Sequence, residues 1–282
     1  MCFAYDASVP DAVQMTPYLQ GHHDSVLRSH RWRTATNSAA YLLPHLRPGM
    51  RVLDVGCGPG TITTDLAERV GPGGEAVGVD SSPDVIALAS QAATAGNVRF
   101  EVHDATRLEV PDRSFDVVHA HQVLQHVADP VAVLREMGRV VRPGGIVAVR
   151  DADYGAMTWH PPIPGLERWR ETYRVVAHAH GGEPDAGRRL LSWVLEAGFD
   201  DVTSSASVWC FTEPVDKQWW GGLQAERIVA SRVAEQAVAL GAASTEDLHD
   251  VASAWLAWAE APDAWFTVVH GEALCRAPLA GS

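Results

Sequence analysis

From Met50 onward, short apolar runs rich in β-branched residues alternate with stretches whose apolar positions recur every three or four residues. RVLDV (51–55) predicts a strand. The turn GCGPG then opens a helix, TITTDLAERV, in which Ile62, Leu66, Ala67 and Val70 share one face. EAVGVD (75–80) predicts a second strand. Ser81 or Ser82 can cap the next helix, Pro83 suits its first turn, and Val85, Ile86, Leu88 and Ala89 supply its buried side. NVRFEVHDA (97–105) and SFDVVHAH (114–121) predict the third and fourth strands. Asp129-Pro130 starts a helix, VAVLREMGRVV, that ends at the breaker RPGG (142–145), and IVAVRDA follows as a fifth strand. Such alternation is the signature of a parallel α/β sheet.

Two regions depart from that rhythm. Residues 1–48 read as an N-terminal helical cap. Residues 151 to about 187, rich in Pro, Gly, Trp and His, begin as a connecting loop. RRLLSWVLEAGF then predicts a helix and DDVTSSASVWCF a sixth strand. A helical stretch, 213–262, reads as a lid insertion before the last strand, AWFTVVHGEALCRA. The core of the fold thus comprises 49–212 and 263–282, and the whole of 282 residues suits one compact domain.

Composition narrows the function. Twenty-two basic against thirty-five acidic residues leave a formal charge of −13, which disfavours nucleic-acid partners, whose phosphates call for a basic face. Cys2, Cys57, Cys210 and Cys275 are too scattered for a zinc cluster or disulfide framework, so no metal is expected. No signal peptide is visible, and no apolar run approaches the roughly 20 residues of a membrane span. The expectation is a cytoplasmic protein. Nothing here fixes its oligomeric state.

The turn after the first strand carries the chemistry. Gly56, Gly58 and Gly60 alternate, and Thr61 stands where a dinucleotide fingerprint has its third glycine. Asp54 precedes the turn. Two like unit charges 4 Å apart cost about 4 kcal/mol at an effective dielectric near 20, so a pyrophosphate is unwelcome beside it. S-adenosylmethionine carries an ammonium, a sulfonium and a carboxylate but no phosphate, and fits better. Asp80, closing the second strand, can accept both hydroxyls of an adenosine ribose. Asp104, closing the third, can accept from an adenine amino group.

The stretch from about 50 to 152 resembles the class I S-adenosylmethionine-dependent methyltransferases. VLDVGCGPG is similar to their first motif, VGVDSSPDVI to the ribose-binding strand and EVHDA to the adenine-binding strand. FDVVHAHQVLQHVADP is similar to the fourth strand with its helix, and LREMGRVVRPGG to the approach to strand five. Within that superfamily the resemblance is to the small-molecule branch that includes the ubiquinone and menaquinone C-methyltransferases. It implies a Rossmann-like, doubly wound, seven-stranded and mostly parallel sheet with an antiparallel last strand. It implies that the backbone of Gly56, Cys57 and Gly58, near Asp54, holds the methionine part. Asp80 with Ser81 would hold the ribose, Asp104 with Ala105 the adenine, and Ala120, His121 and Gln122 the amino-acid end. Arg33, on the N-terminal cap, is the candidate cation for the methionine carboxylate.

Methyl transfer needs alignment, a dry site and, for some acceptors, a base. His121 and His126, just past the fourth strand, are the candidate bases, because imidazole is suited to proton transfer near neutral pH. Trp159 and His160 are candidates for contact with the acceptor, as are His22 and His23. Nine of the ten tryptophans lie after residue 158, serving either as core or as the wall of an aromatic pocket. The function expected is methyl transfer to a small, apolar or aromatic molecule, on O, N or C, yielding S-adenosylhomocysteine. Cofactor binding without transfer, and a nicotinamide oxidoreductase, are the alternatives.

Overall fold

The computed structural model describes residues 24–279. Within them the chain opens with α1 (Asp24–Arg31) and α2 (Ala35–Ser38). It then alternates β1 (Arg51–Val55), α3 (Thr61–Val70), β2 (Glu75–Asp80), α4 (Pro83–Ala92), β3 (Val98–Val102), β4 (Phe115–His121), α5 (Pro130–Val140) and β5 (Val141–Ala152). The second half holds β6 (Thr158–His160), α6 (Pro164–Ala179), α7 (Leu190–Glu196), β7 (Asp201–Phe211), α8 (Pro214–Ala230), α9 (Arg232–Ala239), α10 (Thr245–Glu260) and β8 (Trp265–Arg276).

The strands form one sheet in the order β3-β2-β1-β4-β5-β8, parallel as far as β5. β8 runs antiparallel between β5 and β7, pairing with β7 along eleven residues from Asp201↔Arg276 to Phe211↔Phe266. This is the mostly parallel sheet with an antiparallel strand that the family resemblance implies. The eighth strand, β6, is a three-residue continuation of β5's edge that pairs with the first part of β8.

Burial on both faces explains the continuous apolar runs. On one face Val52, Ala76, Val117, Ile146 and Ala148 pack against Ala39 and Leu42 after α2, and against Ile62 and Leu66 of α3. On the other, Leu53, Val77, Val118, Val147 and Val149 meet Leu134 and Met137 of α5 and Trp193 of α7. A third core, built on Trp169, Trp220, Trp255, Trp258 and Phe266, joins α6 and α8–α10 to the outer part of β8.

Two local readings change, and that of the cap is sharpened. The stretch read as a connecting loop contains the sixteen-residue α6, whose Leu166, Trp169, Tyr173 and Val176 are buried at helical spacing. Its Pro and Gly stand at the first turn, where they start the helix rather than break it. In the described part of the cap the helices are short: α1 ends at Arg31, and Thr34 restarts the chain with a reciprocal capping box to Asn37. RPGG is not a gap, because β5 begins at Val141 and runs through it. Among the described residues no helix is long and apolar enough to cross a membrane.

Candidate functional site

After β1 the chain adds strands on one side as far as β3, then returns to place β4 on the other. That reversal opens a crevice beyond the carboxyl ends of β1 and β4. The glycine turn lies on its floor. Gly56, Gly58 and Gly60 have φ of 68°, 55° and 82°, a left-handed path that disfavours side chains. A Cβ on Gly60 would lie 2.5 Å from Phe100, whereas one on Gly58 would meet only His30 Nδ1, at 3.6 Å. The turn is thus wedged against β3 at one end and bordered by open space at its middle. The amides of two residues expected to hold the methionine part also shape the turn. Cys57 N–H donates to Val79 O (2.9 Å) and Gly58 N–H to Asp80 Oδ2 (3.1 Å). The Cys57 thiol is pushed up by burial and by the neighbouring Asp54 and Asp80, so it stays protonated.

The acids separate into two roles. Asp54 is buried, with Oδ2 accepting from Thr63 Oγ1 (2.6 Å) and Oδ1 lying 2.8 Å from His119 Nδ1. It braces β1, β4 and α3 from below the turn, and both its oxygens are engaged by protein. Asp80 is half-buried. Its two oxygens each accept one backbone N–H, from Gly58 and from Ser82 (3.0 Å). A carboxylate offers about four acceptor positions, so Asp80 keeps lone pairs for two hydroxyls. Ser82, rather than the exposed Ser81, caps α4. Asp104 Oδ1 accepts from Thr106 N–H and Oγ1, which turns the chain after β3, with Ala105 half-buried in that turn.

At the end of β4 the structure brings the next set together. Ala120 is sealed in the sheet. Gln122 has φ of 54°, a strained value for a residue with a side chain, of the kind found at ligand sites. Its side chain accepts from Arg33 Nη2 (2.6 Å) and donates to His270 Nε2 (2.9 Å). His270 Nδ1–H donates in turn to Val268 O (3.1 Å), which fixes the tautomer. Burial holds His270 neutral, well below the usual histidine range. Arg33 is therefore anchored over the end of β4. His121, beside Gln122, packs edge-on to Trp209 and neither ring nitrogen has a partner among the described residues. Buried polar atoms in that state call for a ligand or water.

Beyond Arg33 and Gln122 a narrow cleft, open to solvent at its mouth, lies between the end of β5, α1 and α8. Trp32, Trp169, Trp209 and Trp220 wall it, with Tyr154 and Met157 after β5 and Arg227 and Gln224 on α8. The tryptophans thus divide: Trp255 and Trp258 are wholly buried packing, and these four make a pocket. Trp209 lies edge-on to Trp32 and donates Nε1–H to Asn37 O (2.6 Å), tying β7 to the cap. Trp220 stacks on Phe211, with ring centroids 4.4 Å apart. Trp159 and His160 are not on this wall. Trp159 stacks on Phe266 beneath the Arg170 guanidinium, and His160 is exposed, 3.1 Å from Asp263. His22 and His23 lie outside the described residues.

The two histidines expected as bases are weakly basic. Burial and then the positive charge of Arg33 push His126 down to about 3, and its Nε2 accepts from Gln125 Nε2 (2.8 Å). Burial, with Arg150 and Arg33, holds His121 well below its usual range. Asp151, at the end of β5, is better matched to neutral pH. Burial pushes it up to about 7, against N–H donation from Gln125 and Leu124. Asp151 was detectable by the signal that marked Asp80 and Asp104, an acid at a strand end. Arg227 and Gln224 had no such signal, because α8, far along the chain, brings them to the site.

The methyltransferase-domain family pattern matches residues 46–206, from the segment before β1 into β7. An uncharacterized methyltransferase of Schizosaccharomyces pombe is 33% identical over 267 residues, covering 90% of this chain and 94% of the relative. The chain belongs to the class I S-adenosylmethionine-dependent methyltransferases. A Staphylococcus aureus demethylmenaquinone methyltransferase is 40% identical over 157 residues, 55% of this methyltransferase and 63% of that one. In fold it is similar to the YcgJ protein of Bacillus subtilis, with a TM-score of 0.55 at 19% identity over 85% of this chain and 97% of that chain. It is also similar to the Haemonchus contortus phosphoethanolamine N-methyltransferase 2, crystallised with phosphomonomethylethanolamine and S-adenosylhomocysteine. There the TM-score is 0.57 at 20% identity, covering 95% of this chain and 61% of that one.

Proposed function

We propose that this methyltransferase transfers a methyl group from S-adenosylmethionine to a small aromatic molecule seated in the tryptophan-walled cavity. The observation that carries the proposal is the placement of that cavity. Arg33 and Gln122 line it and also stand at the end of β4, where the cofactor's amino-acid end is expected, so the acceptor pocket adjoins the methyl donor.

The residues fit the cofactor on their own chemistry. Asp80 has lone pairs to spare for two ribose hydroxyls, Gly58 leaves a groove that a side chain would narrow, and His121 carries two buried nitrogens without partners. Asp104 and Ala105 would border the adenine, and Arg33 would face the methionine carboxylate. Asp54 acts indirectly, holding the glycine turn in place and setting a negative charge beneath it. When bound, S-adenosylmethionine supplies a methyl group activated by its sulfonium.

The protein then has three tasks: to align the acceptor, to exclude water and to take up a proton where the acceptor must lose one. The indoles orient a flat ring by stacking and edge contacts. The cap (α1 and α2) and the lid (213–262) close the site, with Ser29 and Trp32 on one side and Trp220 and Arg227 on the other. Arg227 Nη2 donates to Ser29 Oγ (2.7 Å), joining the two halves of the cover. Asp151, whose carboxyl is pushed up to about 7, is not on the pocket wall, so such a proton would have to reach it through a neighbouring group.

The test is turnover of S-adenosylmethionine against a panel of small phenols, aromatic acids and aromatic amines, read as S-adenosylhomocysteine release. Acceptor-dependent release is expected. Tight cofactor binding without release on any acceptor would favour a non-transferring role, and absence of cofactor binding would overturn the proposal.

A further inference from the structure

The cavity wall has a consistent electrical character. In a chain with thirty-five acidic and twenty-two basic residues, the pocket is lined by two arginines, Arg33 and Arg227, and by no aspartate or glutamate among the described residues. The smaller cavity that adjoins it shares Tyr154, Trp169, Gln224 and Arg227, and it too is lined by no acid among the described residues. A second, independent feature points the same way. Trp220 is 6% exposed, lines the pocket, and its Nε1–H has no hydrogen-bond partner among the described residues. An indole nitrogen can only donate, and a buried donor left unpaired is costly, so an acceptor brought to this wall would be favoured.

From these features we infer that the methyl acceptor is an aromatic carboxylate, its ring held among the indoles and its carboxylate received by Arg227 and the Trp220 N–H. The inference rests on the methyl-transfer reading above and narrows its substrate class. The two arginines divide by position. Arg33 is tied to Gln122 at the cofactor end, whereas Arg227 comes from α8 on the far wall and borders both cavities. A guanidinium is a planar fork that matches a carboxylate with two parallel bonds. An aromatic box can also receive a cationic amine by its ring faces. Here the Trp209 ring already holds two guanidiniums: Arg33 and Arg150 lie 5.7 and 5.1 Å from its centroid. A third cation at that ring would meet the charge of Arg33, since Arg150 is paired with Glu272.

The test is calorimetric titration of the S-adenosylhomocysteine-loaded protein with three probes of one shape: 1-naphthoate, 1-naphthamide and 1-naphthylmethylammonium. Naphthoate should bind at least tenfold more tightly than either of the others, and its affinity should fall as salt is raised. Arg227→Gln should weaken naphthoate at least tenfold without changing affinity for S-adenosylhomocysteine, and Arg227→Lys should restore part of the loss. Trp220→Phe should weaken naphthoate several-fold while leaving the melting temperature unchanged or higher, since it removes an unpaired buried donor. Equal binding of the amide or the ammonium, failure of all three probes on a protein that holds S-adenosylhomocysteine, or indifference to Arg227→Gln would overturn the inference. So would displacement of naphthoate by an equal concentration of inorganic phosphate. Failure to bind S-adenosylhomocysteine at all would strike the methyl-transfer reading instead.

Discussion

The imidazole of His119 lies 2.8 Å from Asp54, Nδ1 to Oδ1, with both side chains sealed inside the sheet. The two residues are direct partners in the pairing of β1 with β4, so this contact sits at the strand reversal that creates the crevice. Removing the carboxylate leaves both His119 and Thr63 without their acceptor in a dry core. Asp54→Ala should cost about 3 kcal/mol, and Asp54→Asn, which keeps one acceptor and the shape, should cost less. Thermal unfolding checks this: a melting temperature for Asp54→Ala within a degree of the wild type would contradict the bracing role.

Asp80 is the residue whose loss should separate binding from folding. It is half-buried, so Asp80→Ala should leave the circular dichroism spectrum intact. Losing charge-assisted bonds of about 1.5–3 kcal/mol should weaken S-adenosylmethionine by roughly ten- to a hundredfold. Calorimetry gives the number, and unchanged affinity would remove the ribose assignment.

Gly60→Ala combines a left-handed φ of 82° with a Cβ placed 2.5 Å from the Phe100 ring. Backbone strain of about 1–2 kcal/mol adds to the displacement of an aromatic ring, so the variant should lose about 2–4 kcal/mol. Urea unfolding measures the loss, and Gly71→Ala is the control. Gly71 shares the positive φ but meets nothing within 4 Å, so it should show only the strain.

Asp151 makes a prediction about pH. Burial pushes its carboxyl up to about 7, while an unfolded aspartate ionises near 3.9. Between those values the folded protein keeps a proton that the unfolded chain has lost. Stability from this group is therefore present at low pH and is lost as pH rises through 7, by up to about 4 kcal/mol. His126, pushed down to about 3, contributes the opposite slope between about 3 and 6.5, since there the unfolded chain binds the extra proton. Asp151→Asn keeps the His126 contribution and removes the other. Its stability relative to the wild type should improve from pH 4 to about pH 7 and level off by pH 8 in urea titrations. A difference that does not vary with pH would contradict the assignment.

The sheet as far as β5 and the glycine turn at its edge were legible in the residues alone. Period-two and buried apolar runs can satisfy their backbones only in a sheet covered on both faces, and the local glycine pattern of residues 56–60 dictates the turn. Asp80 and Asp104 were legible because a strand end fixes where an acid must lie. The tertiary structure decided the rest. It showed that Asp54 is fully engaged by Thr63 and His119, a relationship between residues 9 and 65 positions apart that no spacing encodes. It drew the basicity out of His121 and His126 by burying them near Arg33, because a charge stripped of water is disfavoured whatever the residue type. It also assembled the pocket from α1, the segment after β5, β7 and α8, turning four tryptophans far apart in the chain into one wall. Indoles pack equally well in a core or around a ligand, and only their placement in space separates the two.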